Sequence, residues 1–216
     1  MKILINGKEV RQYHHKGNIF IEGRKGSEFS IFLENPNFYA VKAVVSVDGL
    51  CVIDGKPAGE KSKGYVIDAM SNLTISGWRI SDSQISKFVF NDKRKSLNVQ
   101  TGNDSSNVGV IGAMFFNEVS IYHQTTPMVL RSNANIGGYV GLSSNNIGTG
   151  CGNIDNSPVF VDTRSFSTTP NGFDIIYYDD KKGLESRGIV VDPRREFPNP
   201  FPSYSTTNEY VKIPRK

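Results

Sequence analysis

The chain has 216 residues, 38% of them hydrophobic and 11% aromatic, with a formal charge of +4 and a sequence pI near 9.0. That length can bury a real core, and the aromatic content excludes a wholly disordered polymer. No apolar run is long enough to span a bilayer or to serve as a signal peptide, so the reading is a soluble product made in a cytoplasm, with no membrane partner.

Residues 2–5 and 8–13 flank Asn6-Gly7 and are expected to form a first hairpin. Residues 18–22 and 27–34 flank Gly23-Arg24-Lys25-Gly26 and suggest a second, in which Phe29, Ile31 and Leu33 alternate against Ser30, Phe32 and Glu34. The most strongly patterned stretch follows. Val41, Ala43, Val45 and Val47 alternate with Lys42, Val44 and Ser46 up to Asp48-Gly49, a pair suited to the positive φ angles of a type I′ turn. Leu50 to Ile53 should therefore return beside Val44 to Val47. Gly55, Pro57 and Gly59 then interrupt the sheet before strand signals resume at Tyr65-Val66-Ile67 and Leu73-Thr74-Ile75.

Ser81 with Gln84 three residues on has the form of a capping box, which predicts a helix of one or two turns. Phe88-Val89-Phe90 reads as strand. Residues 108–116 are apolar on both faces, the mark of a central strand covered on both sides. Residues 132–157 are dominated by Ser, Asn and Gly and read as a loop or connector. Residues 173–178 and 188–191 suggest one more strand pair around Asp179-Asp180-Lys181-Lys182-Gly183. Residues 192–216 carry Pro193, Pro198, Pro200, Pro202 and Pro214 and are expected to form an extended arm.

Recurrent short strands every 8–12 residues predict an all-β fold, an antiparallel β-sandwich of Ig-like or jelly-roll-like type with a loop-rich C-terminal extension. The expected divisions are a sandwich over 1–119, a connector over 120–170, and a strand pair with the arm over 171–216.

Sites are sparse in this sequence. His14 and His15 are adjacent on a strand and point to opposite faces, so they do not share one metal, and His123 stands alone. No nucleophile elbow, phosphate loop or paired-cysteine signature occurs. Cys51 reads as a small core side chain, and Cys151 lies far from it in an unlike context. The aspartates at 48, 54, 68, 82, 92 and 104 read as turn residues. The densest basic groups, Lys93-Arg94-Lys95 and Arg194-Arg195, are each too short for an electrostatic footprint, so no nucleic-acid partner is expected. Trp78 and Arg79, with Tyr65, form a possible ligand platform; a core anchor is the alternative role for Trp78. In the arm, Phe197, Phe201, Tyr204 and Tyr210 need a surface to cover them and are the expected partner-binding residues.

Three pieces carry a family resemblance: Val47-Asp48-Gly49-Leu50 through Asp54-Gly55-Lys56-Pro57-Ala58; Gly64-Tyr65-Val66-Ile67 leading to Ile75-Ser76-Gly77-Trp78-Arg79; and Asn107-Val108-Gly109-Val110-Ile111-Gly112. Over residues 28–118 the chain resembles a little-characterised family of small β-rich proteins of tailed phages, prophages and some bacteria. The resemblance brings no catalytic residue and no cofactor. It implies a virion-associated structural or accessory role. The leading expectation is therefore a capsid, neck or tail component that binds other virion proteins, and homo-oligomerisation is expected from the arm and that role. A carbohydrate- or receptor-binding module is the alternative, and an enzyme is the reading with least in the sequence behind it.

Overall fold

The computed structural model describes residues 1–119 and 145–191. Its first strands are β1 (Lys2–Ile5), β2 (Lys8–Glu9), β3 (Gln12–His15), β4 (Asn18–Glu22), β5 (Glu28–Asn35), β6 (Val41–Val47) and β7 (Leu50–Cys51). There follow β8 (Tyr65–Ile67), β9 (Ser71–Ile75), β10 (Gly77–Arg79), β11 (Gln84–Asp92), β12 (Val110–Asn117), β13 (Ile147–Asn156) and β14 (Gly172–Asp179). Two short helices, α1 (Leu97–Gln100) and α2 (Lys181–Ser186), lie between and after them. None of the described helices is long and apolar enough to cross a membrane.

The strands make two sheets. The first runs β10-β11-β5-β1-β2, with β13 on the free side of β11 and β9 on β5; the second runs β3-β4-β14-β12-β6-β7, with β8 on β6. Tight turns at Asn6-Gly7, Lys16-Gly17 and Asp48-Gly49 place both residues at positive φ, and the last pair has φ values of 53° and 80°. That is the backbone a type I′ turn requires.

Alternation decides what faces the core. Phe29, Ile31 and Leu33 of β5 are buried against Ala43, Val45 and Val47 of β6, Ile111 and Ala113 of β12, and Ile176 of β14. Phe29 stacks on Phe90 at 4.2 Å and on Phe88 at 5.2 Å between ring centroids. Burial of each such side chain is worth roughly 1.5–3 kcal/mol, and this layer holds the sheets together.

The all-β sandwich expected from the sequence is therefore present, with departures that have physical causes. The β4–β14 pair is parallel, so the second sheet is mixed. β4 and β5 do not form a hairpin; the loop between them crosses from one sheet to the other, and β4 pairs instead with β3. Ser81 caps no helix, because Ile80 and Ser81 both donate to the carbonyl of Gln84 in the turn that joins β10 to β11.

The sandwich also extends beyond residue 119. β13, inside the expected connector, pairs with β11 from Gln84 to Asp92, and β14 inserts between β4 and β12. In β13 the glycines allow close backbone approach: a Cβ on Gly150 would lie 2.9 Å from the carbonyl oxygen of Lys95. Residues 188–191 form no strand. After β14 comes α2, whose first turn is held by Asp180 Oδ1 accepting the Gly183 N–H at 2.8 Å. Cys51 is buried, Cys151 is exposed, and both are free thiols.

Candidate functional site

β12 is central, between β6 and β14, but it is covered unevenly. Ile111, Ala113 and Phe115 enter the core, while Val110, Gly112 and Met114 face outward and are half-buried. Phe116 lies under the ammonium of Lys42, 4.2 Å from its ring centroid. On β14 the outward residues Phe173, Ile175 and Tyr177 are likewise half-buried.

Part of this outer face is closed by α2 and the residues after it. Phe20, Leu184, Ile189 and Val191 form a second, small apolar cluster against Tyr13 and Tyr177. The remainder is an open cleft of about 650 Å³ floored by Val44, Ser46, Val110, Gly112, Met114 and Ile175. Its polar lining includes Ser46, Ser106, Asn107, Asn145, Asp174 and Arg187. Asp174 is already engaged by the N-terminal ammonium of Met1 at 2.7 Å. A floor of this kind can bury apolar side chains of a partner.

Beneath the cleft's upper end lies a highly polar node of the interior, centred on Asp48. Asp48 Oδ1 accepts the Gly109 N–H at 2.8 Å and the Tyr178 hydroxyl at 2.5 Å; Oδ2 accepts the Thr149 N–H at 2.8 Å. The Thr149 and Tyr178 hydroxyls are 2.7 Å apart. Asn98 donates to the Asp48 carbonyl at 2.7 Å. Burial pushes the Asp48 carboxyl up to about 6, against the opposing pull of the Tyr178 hydroxyl and the Thr149 and Gly109 amides. Burial and the adjacent carboxylate push the Tyr178 phenol well above its ordinary value, so it remains a donor. The node ties β6, β12, β13 and β14 together and is enclosed by protein, which makes it a structural clamp.

The proposed ligand platform is divided by the strand that carries it. Trp78 is 3% exposed, packs edge-on against Phe88 at 5.3 Å and donates its indole N–H to Gly150 O at 3.3 Å. It is a core anchor and offers no ring face to a ligand, because neighbours on a strand point to opposite sides. Arg79 does lie beside Tyr65, its Nε donating to the phenol oxygen at 3.1 Å, and its guanidinium also donates to Ser157 O at 2.8 Å. The two line a recess of about 160 Å³ with Asp155, Asn156 and Ser157.

Phe197, Phe201, Tyr204 and Tyr210 lie outside the described residues, as does His123. His14 is exposed on β3 while His15 turns its ring edge to Phe20 at 6.3 Å. Among the described residues no three His, Cys, Asp or Glu side chains cluster as metal ligands. Sequence reasoning missed the Asp48 node, since Asp before Gly in a hairpin turn looks the same whether its side chain faces water or the core. Comparison with protein-family models, with curated proteins and with solved structures gives no match.

Proposed function

We propose that this chain is a non-enzymatic structural subunit of a phage particle, a capsid accessory or a neck or tail component, that binds other virion proteins. The outer face of the second sheet carries this reading: among the described residues, half-buried Val110, Met114 and Ile175 line an open cleft of about 650 Å³ with buried Val44 beneath them. Phe160 and Val161, each 94% exposed, add apolar surface that a partner would cover. The particle itself enters through the family resemblance, and residues 192–216 with their aromatic side chains are a second attachment element by the same reading.

Particles induced from the genome that encodes the chain, purified by density and washed in high salt, test the role. Mass spectrometry should find the chain at a fixed ratio to the major shell or tail protein. Its absence from washed particles contradicts the reading. A glycan- or receptor-binding module retains the Tyr65–Arg79 recess but has lost Trp78 to the core, and a glycan array with reproducible hits that Arg79→Ala abolishes would favour it.

A further inference from the structure

Three basic groups that stand far apart along the chain meet at one end of the sandwich: Arg24-Lys25, Lys93-Arg94-Lys95 and Lys181-Lys182. Backbone bonds bring them there. Gly23 N–H donates to Asp179 O at 2.9 Å, Gly26 N–H to Phe90 O at 2.7 Å and Lys93 N–H to Asn146 O at 3.4 Å. The Asn146 side chain closes the set by donating to Asp180 Oδ1 at 3.0 Å. All seven cations are exposed apart from Lys93, which is half-buried.

Five carboxylates share this end, one of them the buried Asp179, which lies 3.6 Å from Arg187. Glu22 pairs with Arg24 at 3.4 Å, Asp92 pairs with Lys25, Glu185 pairs with Lys181 at 3.7 Å, and Asp180 caps α2. Lys93, Arg94, Lys95 and Lys182 form no ion pair within the described residues. Beside them lies a recess of about 490 Å³ lined by Asp92, Lys93, Arg94, Lys95 and Asn146, with no apolar side chain in its wall.

We infer that this end is a sequence-independent docking surface for the phosphate backbone of double-stranded nucleic acid. The inference is separate from the subunit role and stands on the fold's juxtaposition of basic groups that are individually too short. An acidic protein is the poorer partner, because the centres of protein interfaces are apolar and depleted in lysine. Interfaces with nucleic acid are polar, wet and positively charged. A single strand is also the poorer fit, since the recess holds no aromatic ring on which bases could stack. Flexible lysines without a base-reading helix contact phosphates and carry no sequence information.

With three to four phosphates neutralised, the slope of log affinity against log salt should be about −3, a loss of roughly 40- to 150-fold between about 50 and 200 mM salt. The test is fluorescence anisotropy of the full chain with an arbitrary duplex of about 25 base pairs across that salt range. Arg94→Gln/Lys95→Gln/Lys182→Gln should weaken binding at least about tenfold at low salt and flatten the slope by about 2 to 3. A control of equal charge change, Lys56→Gln/Lys61→Gln/Lys63→Gln on the exposed β7–β8 connection, should leave both unchanged. Thermal melts confirm that both variants are folded. Three results overturn the inference: no duplex binding at low salt, equal loss in the two triple variants, or poly-glutamate competing as well as duplex at equal charge.

Discussion

The Asp48 carboxylate, in the turn between β6 and β7, accepts the backbone N–H of Thr149 in β13 at 2.8 Å, so a side chain of one sheet is bonded to the backbone of the other. Asp48 is 0% exposed and carries two further donors, from Gly109 and Tyr178. Asp48→Asn keeps the positive-φ turn, because Asn tolerates that backbone, but it sets an amide NH₂ against a ring of donors. The expected cost is about 2–3 kcal/mol by urea denaturation, with Tyr178→Phe costing about 1–2 kcal/mol. An Asp48→Asn variant as stable as the parent would mean that the node is not a clamp.

The same carboxyl sets a pH dependence. Its folded-state value of about 6 lies above the ordinary 3.8, so between those values the folded chain holds a proton that the unfolded chain has lost. Stability from this group is therefore full below about pH 4 and declines as pH rises through about 6, by up to about 3 kcal/mol. The parent's stability relative to Asp48→Asn should fall across that window in urea titrations at a series of pH values. A flat or rising difference contradicts the assignment.

Much of this fold can be read from side-chain pattern, and the misreadings share a cause. β5 and β6 alternate as their residues dictate, and the Asp48-Gly49 turn has the φ angles that such a pair favours. β13 was illegible because Gly148, Gly150 and Gly152 bring no side-chain signal; its identity comes from β11 alongside it. α2 was hidden because Asp180-Lys181-Lys182-Gly183 has turn composition, and only Asp180 capping Gly183 settles the matter. The cleft was illegible for another reason: the outward residues of β12 and β14 are as apolar as those of a covered strand. The basic end could not be read at all, since three loops far apart in sequence supply it.

Gly77 marks the tightest backbone approach in the first sheet. A Cβ there would lie 2.3 Å from the carbonyl oxygen of Ser86 in the facing strand, whereas one on Gly59 would meet nothing within 4 Å. Gly77→Ala should cost about 1–3 kcal/mol or more, as overpacking does, and Gly59→Ala should be near neutral. Paired thermal melts check the contrast.

Trp78 is the single tryptophan, so its fluorescence reports one site. Its burial and its bond to Gly150 O call for blue-shifted emission, weak quenching by iodide and a red shift on unfolding. Trp78→Ala should lose about 3–5 kcal/mol through the cavity it leaves in the core. Emission like that of free tryptophan in the native chain would move this residue out of the core.

The subunit role is tested most directly at Ile175, half-buried on the cleft floor with its side chain away from the core. Ile175→Lys places a charge on the apolar surface that a partner must desolvate, while the interior packing on the other side of β14 is untouched. Particles are assembled in the presence of parent or variant chain, and the chain retained after a high-salt wash is quantified by mass spectrometry. The account expects the parent at fixed stoichiometry and the variant reduced at least about tenfold at an unchanged melting temperature, a difference of about 1.4 kcal/mol or more in attachment. Retention of Ile175→Lys at the parental level would contradict docking through the outer face of the second sheet.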